Sequence, residues 1–164
     1  MHPAQQHRQL ALIHGPNLNL LGKRETSIYG QITLEQINRR LTKRAQELDL
    51  ELHIIQTNHE GELIDFLQEN YTKLDALIIN PAGFGHTSIA LRDTLLAIEV
   101  PFVEIHLTNI YGREDFRRQT LLQDLAIAVI AGCGANGYFF ALENIVSALH
   151  LEPKEQKTSL STEI

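Results

Sequence analysis

The chain has one cysteine, Cys133, in 164 residues, so an internal disulfide is excluded. Either a reducing compartment or indifference to redox explains that. It lacks a basic run: 14 Lys and Arg stand against 20 Asp and Glu, for a net charge of −6. That balance argues against nucleic acid or an anionic membrane as the main partner. No apolar run approaches the roughly 20 residues that span a bilayer. The stretch Met1–Gln9 is polar, with no apolar signal core, so the expected location is cytoplasmic. No metal-ligand cluster is evident. The eight histidines are scattered, and the nearest approach to a ligand set is His86 and His106 with one carboxylate. There is no internal repeat and no linker. The expected organisation is therefore one domain over residues 1–152, followed by a polar tail rich in Lys, Glu, Ser and Thr over 153–164.

What is present is an alternation. Short apolar runs predict strands at 10–13, 52–55, 76–79, 102–105 and 126–130. Between them lie helical patterns. Leu34, Ile37, Leu41, Ala45 and Leu48 mark one face of a helix over 34–48. Further helices are predicted over 62–68, over 88–98 with Ser88 or Thr87 as N-cap, and over 135–149, with a shorter one starting near Glu114. Five strand–helix alternations imply an α/β three-layer sandwich with a parallel sheet, and five strands in this length fit the flavodoxin-like order 2-1-3-4-5.

In open parallel sheets ligands bind beyond the carboxyl ends of the strands. Four of the five predicted ends are polar: His14–Asn19, Gln56–Glu60, Asn80–Gly83 with His86 behind, and Glu104-Ile105-His106 followed by Thr108 and Asn109. Such a set suits a small, highly hydroxylated carboxylate that needs many directed hydrogen bonds. Glu104 and His106 lie two apart, hence on one strand face, where the carboxylate can orient the imidazole; the alternative is a buried Glu with other donors beside a half-exposed His. The loop 20–30, between two glycines, carries Arg24 and Tyr29. A guanidinium favours the phenolate and could make Tyr29 a base, and the glycine-flanked loop a lid; the alternative is a surface loop with an anchoring tyrosine. The segment 80–88 offers backbone N–H groups and a helix start to a carboxylate. Arg113 and Arg117 are predicted on one face of the short helix after strand four, either closing over an anion or facing solvent. Gly132–Gly137 matches G-x-G-x-x-G between a strand and a helix. No later strand follows to supply the acidic partner of a dinucleotide ribose, so it is read as tight packing of the last helix.

Taken together, HGPNLNLLGKRETSIYG at 14–30, QTNHEGELIDFL at 56–67, NPAGFGHTSIALRD at 80–93, VEIHLTNIYGREDFR at 103–117 and AGCGANGYFFAL at 131–142 resemble the type II 3-dehydroquinate dehydratase family, from about residue 10 to 150. The resemblance implies a flavodoxin-like fold and a homo-oligomer, a dodecamer of four trimers. It also implies reversible anti elimination of water from 3-dehydroquinate through an enolate, in the shikimate pathway, without metal or cofactor. On that resemblance Tyr29 is the base and Arg24 the cation that keeps it ionised. Asn17 holds a water against the enolate oxygen, and His106 is the acid, with Glu104 behind it. Asn80, His86, Leu107, Thr108 and Arg117 match substrate-binding positions, Arg113 lies near the lid, and Asp93 reaches a neighbouring subunit's site. His14, Gly85, Thr108 and Tyr111-Gly112 depart from the commonest pattern, and Gly85 is expected to loosen the turn before His86. Two rivals differ in class: a non-enzymatic module that binds a nucleotide or flavin, and an inactive family member serving as a scaffold.

Overall fold

The computed structural model describes residues 8–23 and 32–149. Arg24, Tyr29 and the predicted tail lie outside the described residues. Five strands form one wholly parallel sheet: β1 (Arg8–His14), β2 (Leu50–Gln56), β3 (Ala76–Asn80), β4 (Phe102–His106) and β5 (Ala128–Ala131), in the order β2-β1-β3-β4-β5. The helices are α1 (Leu34–Glu47), α2 (Glu60–Asn70), α3 (Phe84–Thr87), α4 (Ile89–Ile98) and α5 (Asn136–Ala148). This is the predicted three-layer architecture and strand order.

The two-residue period of a strand assigns the layers. In β1, Leu10 and Leu12 join one apolar cluster with Ile37 and Leu41 of α1 and Tyr138, Leu142 and Ile145 of α5. Ala11 and Ile13 join the opposite cluster, with Leu63 and Leu67 of α2 and Leu91 and Leu95 of α4. In β3, Ile78 belongs to the first cluster and Leu77 and Ile79 to the second. Each fully buried Leu or Ile contributes roughly 1.5–3 kcal/mol of transfer free energy. A register slip of one residue would exchange the two sets, which is why these runs read as strands buried on both faces.

Helix starts are set by local chemistry. Thr33 and Gln36 form a reciprocal capping box before α1, with Gln36 N–H donating to Thr33 Oγ1 and Thr33 N–H to Gln36 Oε1. Ser88 rather than Thr87 caps α4, its Oγ accepting from Leu91 N–H at 2.8 Å. Thr87 Oγ1 instead donates to the Gly83 carbonyl, because Thr87 ends the single-turn helix α3, which the apolar pattern did not reveal.

The short helix predicted near Glu114 is present as a single 3₁₀ turn with Glu114 at its N-cap, and the placing of Arg113 on it with Arg117 is corrected. Two separate 3₁₀ turns stand there, Ile110–Gly112 and Asp115–Arg117. The first is capped by Asn109 Oδ1, which accepts from Tyr111 N–H, and Arg113 is the residue that closes it. Only Ile110 of this stretch is buried and Phe116 is exposed, so there is no apolar face to sustain a longer helix. Arg113 and Arg117 are therefore not on one helix face, although both reach the same cavity.

Candidate active site

The carboxyl ends of β1, β3 and β4 open into a cavity of about 330 Å³. Asn17, Asn80, His86, His106, Leu107, Thr108, Arg113 and Arg117 all line it. Residues nearly 100 positions apart in sequence meet there because three adjacent parallel strands end at one level: His14 pairs with Asn80, and Ile79 with Glu104.

Glu104 and His106 form the core of the arrangement. Both lie on the strand face toward α2 and α4, and Glu104 is wholly buried. His106 Nε2 is 2.8 Å from Glu104 Oε1, and Thr120 Oγ1 donates to Glu104 Oε2 at 2.9 Å. Each carboxylate oxygen thus holds a donor, as a buried charge requires. The proton of this contact must sit on Nε2, since the carboxylate only accepts. Nδ1 is then the nitrogen left for a ligand. Thr120 carried no sequence signal, since it sits 16 residues beyond Glu104 in an irregular segment.

His86 stacks beside His106, with ring centroids 5.9 Å apart. Its Nδ1 lies 2.8 Å from the Gln119 carbonyl and must donate to it, which turns Nε2 toward other partners. The turn carrying His86 is closed rather than loosened by Gly85. Gly85 N–H donates to the Ala82 carbonyl at 3.3 Å and its own carbonyl accepts from Leu121 N–H at 2.7 Å. A side chain there would meet Pro81 Cγ at 2.8 Å, so Pro81 already fills that space.

Asn17 is held with φ of 67°, in the left-handed region that asparagine tolerates. Its backbone N–H donates to Asn58 Oδ1, which also accepts from Gln56 Nε2. Asn58 therefore anchors the turn from the neighbouring strand end. Its place in the polar strand end Gln56–Glu60 put it beside the cavity edge, but nothing in the sequence showed the anchoring contact itself. Gly15 permits the close approach of the same turn, since a Cβ would lie 2.2 Å from the Pro81 carbonyl oxygen.

The far wall is basic. Arg113 Nη1 reaches Thr108 Oγ1 at 3.4 Å. Arg113 Nε and Arg117 Nε each lie 3.3 Å from Glu114 Oε2. The Glu114 carboxyl is held below its usual range, first by its own backbone N–H and then by these arginines. The contact with Arg117 is off-line, and Arg117 Nε is a buried donor with no hydrogen-bond acceptor. A buried, unspent guanidinium donor on a cavity wall suits an anionic ligand. Asp93 is exposed on α4 and lies away from this chain's own cavity.

The glycine motif after β5 does not present an anion cradle. Gly132 N–H donates to the His106 carbonyl at 3.2 Å and Gly134 N–H to the Leu107 carbonyl at 2.9 Å. These groups, which would otherwise face a pyrophosphate, brace the end of β4 instead. At Gly137 an added Cβ would lie 3.6 Å from Ile130 Cγ2, an ordinary packing distance, so close docking of α5 does not require this glycine. Among the described residues no group of three or more His, Cys, Asp or Glu side chains could hold a metal, and no helix is long and apolar enough to cross a membrane.

The family model of the class II dehydroquinases matches residues 8–146. The chain belongs to the class II dehydroquinase family. Among curated members, the 3-dehydroquinate dehydratase of Halothermothrix orenii is 52% identical over 141 residues, covering 86% of this chain and 95% of that one. That of Nitrosomonas europaea is 56% identical over 135 residues, covering 82% and 94%. The crystal structure of the type II dehydroquinase from Butyrivibrio crossotus superimposes with a TM-score of 0.82 at 35% identity, covering 85% of this chain and 97% of that one. The dehydroquinase match spans all three strand ends that build the cavity.

Proposed function

We propose that this cavity carries out the dehydration of 3-dehydroquinate for which its relatives are named, by anti elimination through an enolate to 3-dehydroshikimate, the route that the family resemblance implies. The observation that carries the reading is the buried Glu104–His106 pair opening onto a cavity that Asn17, Asn80, His86 and Arg117 also line.

The chemistry needs three groups. A base must take the proton at C2, next to the ketone. Donors must hold the enolate oxygen where charge develops. An acid must protonate the departing C1 hydroxyl so that it leaves as water. His106 supplies that last proton from Nδ1, while Glu104 holds Nε2–H and balances the imidazolium charge. Asn17 keeps a water against the enolate oxygen. Asn80, His86 and Thr108 bind the substrate's oxygens, the Leu107 and Thr108 N–H groups meet its carboxylate, and Arg117 adds positive charge at the wall, with Arg113 beside the lid. The base is Tyr29, kept ionised by Arg24; both assignments rest on the family resemblance. The three tasks are all met by side chains and water, so the proposed route uses no metal and no cofactor.

Asp93, exposed on α4, is assigned to the site of a neighbouring copy, in a homo-oligomer that the resemblance makes a dodecamer of four trimers. The proposed place is the cytoplasm and the shikimate pathway of aromatic amino acid biosynthesis. The test is direct. Addition of 3-dehydroquinate to the purified protein should produce the ultraviolet absorbance of a conjugated enone, and a fully folded preparation that never develops it would refute the reading.

A further inference from the structure

Behind the cavity, on the sheet face opposite His106, four buried or half-buried side chains form an unbroken chain. Asn38 Oδ1 lies 2.8 Å from His14 Nε2, His14 Nδ1 lies 2.8 Å from the Tyr138 hydroxyl, and Asn80 Nδ2 donates to that hydroxyl at 3.0 Å. His14 and Tyr138 have no exposed surface, and Asn80 is 3% exposed. The His14 and Tyr138 rings meet edge-on, with centroids 5.2 Å apart. No step of the proposed reaction uses His14 or Tyr138.

The direction is set at the Asn80 end, where the Ala82 N–H can only donate and takes Asn80 Oδ1, leaving Nδ2 to donate to the Tyr138 hydroxyl. With Asn38 Oδ1 accepting at the other end, His14 Nε2 carries a proton. Burial makes the imidazolium unfavourable, and the ring's pKa is lowered to about 4, so Nδ1 is a bare acceptor at neutral pH. The Tyr138 hydroxyl must therefore donate to Nδ1. Its oxygen can then accept a hydrogen bond from Asn80 Nδ2–H. On the other side, Asn80 Oδ1 accepts from Ala82 N–H at 3.3 Å. A carboxamide alone can rotate by half a turn and offer either an oxygen or an N–H. Here the rotated form would set its oxygen against the Tyr138 oxygen, whose proton is already committed, and its NH₂ against the Ala82 N–H.

We propose that His14 and Tyr138 are positioning residues that lock the Asn80 carboxamide, so that the cavity meets its second N–H as a donor and never its oxygen. The oxygen it addresses on the ligand is then an acceptor, a ketone, carboxylate or hydroxyl oxygen. The inference rests on the dehydratase reading for the identity of that ligand, and on hydrogen-bond direction alone for the lock.

Two experiments test it. In protein labelled with ¹⁵N-histidine, His14 should show a protonated Nε2 and an unprotonated Nδ1 at pH 7; a protonated Nδ1 would break the lock whatever the enzyme does. With 3-dehydroquinate, folded Tyr138→Phe should raise KM by about tenfold while kcat changes by less than about threefold, the pattern of lost ground-state positioning. In an Asn80→Ala background the same substitution should change KM by less than about twofold, since the amide it positions is gone. A folded Tyr138→Phe with wild-type KM, or an undiminished KM effect in the Asn80→Ala background, would overturn the proposal. If Tyr138→Phe does not fold, the nitrogen measurement on the wild type decides alone. Wild-type protein with no turnover would count against the dehydratase reading, and the nitrogen result would still judge the lock.

Discussion

Residue chemistry at this site is a matter of which atom has a free valence. Glu104 spends both oxygens, on His106 and Thr120, and so leaves His106 one functional nitrogen. Thr120→Val removes a donor to a buried carboxylate at nearly constant volume. A hydrogen bond to a charged group is worth about 1.5–3 kcal/mol, so kcat should fall by roughly tenfold or more, with the Tyr29-dependent step untouched. Steady-state kinetics with a thermal melt on the same sample checks this; an active, less stable protein with unchanged kcat would assign Thr120 to folding alone. Tyr29→Phe should abolish turnover while keeping ligand binding, because only the phenolate is lost. Equilibrium binding of substrate beside a rate assay tests it, and more than a few per cent of residual activity would exclude Tyr29 as the base.

At the scale of elements, the sheet works as a levelling device. Strand ends that differ by about 90 residues in sequence are brought to one edge by parallel pairing, and irregular segments then fill the gaps between them. The segment after β5 braces β4 through the Gly132 and Gly134 N–H groups. Gly132 has φ of 84° and a Cβ would approach that of Asn109 to 3.2 Å, whereas Gly134, with φ of 54°, faces open space. Both alanine variants should lose about 1–2 kcal/mol from the left-handed backbone. Gly132→Ala should in addition lower kcat/KM by displacing the end of β4, and Gly134→Ala should not. Urea unfolding together with kinetics separates the two, and equal kinetic effects would mean that the crowding at Asn109 is irrelevant.

For the whole molecule, the buried His14 ties stability to pH. Its pKa is lowered to about 4 in the folded protein from the ordinary histidine value of 6.5, because burial disfavours the charged ring. Above pH 6.5 both folded and unfolded chains hold it neutral and the full stability is present. As pH falls from 6.5 toward 4, the unfolded chain takes up the proton first, and stability is lost. A shift of this size amounts to about 3 kcal/mol. Urea unfolding at pH 7 and at pH 4.5 should show most of that loss in the wild type, and the difference should shrink in His14→Asn, which has nothing to titrate there. An unchanged pH dependence in that variant would place the acid sensitivity in the carboxylates instead.

The sequence by itself determined the layers and the ingredients. Apolar runs such as Ala76–Ile79 read as strands covered on both faces, and the spacing of Leu34, Ile37, Leu41 and Ala45 read as one helix face, because these are local rules of period. The spacing of Glu104 and His106 already placed them on one strand face. What depended on distant partners was not legible: the Thr120 contact, the Asn58 anchor under Asn17, the bracing role of Gly132 and Gly134, and the pairing of His14 with Tyr138 across 124 positions. The short helix expected near Glu114 is one 3₁₀ turn, and Arg113 belongs to the separate turn before it, a division set by the Asn109 cap that the spacing of the two arginines did not show. Hydrogen-bond direction is settled only where both partners are in place, and it is tertiary structure that brings them together.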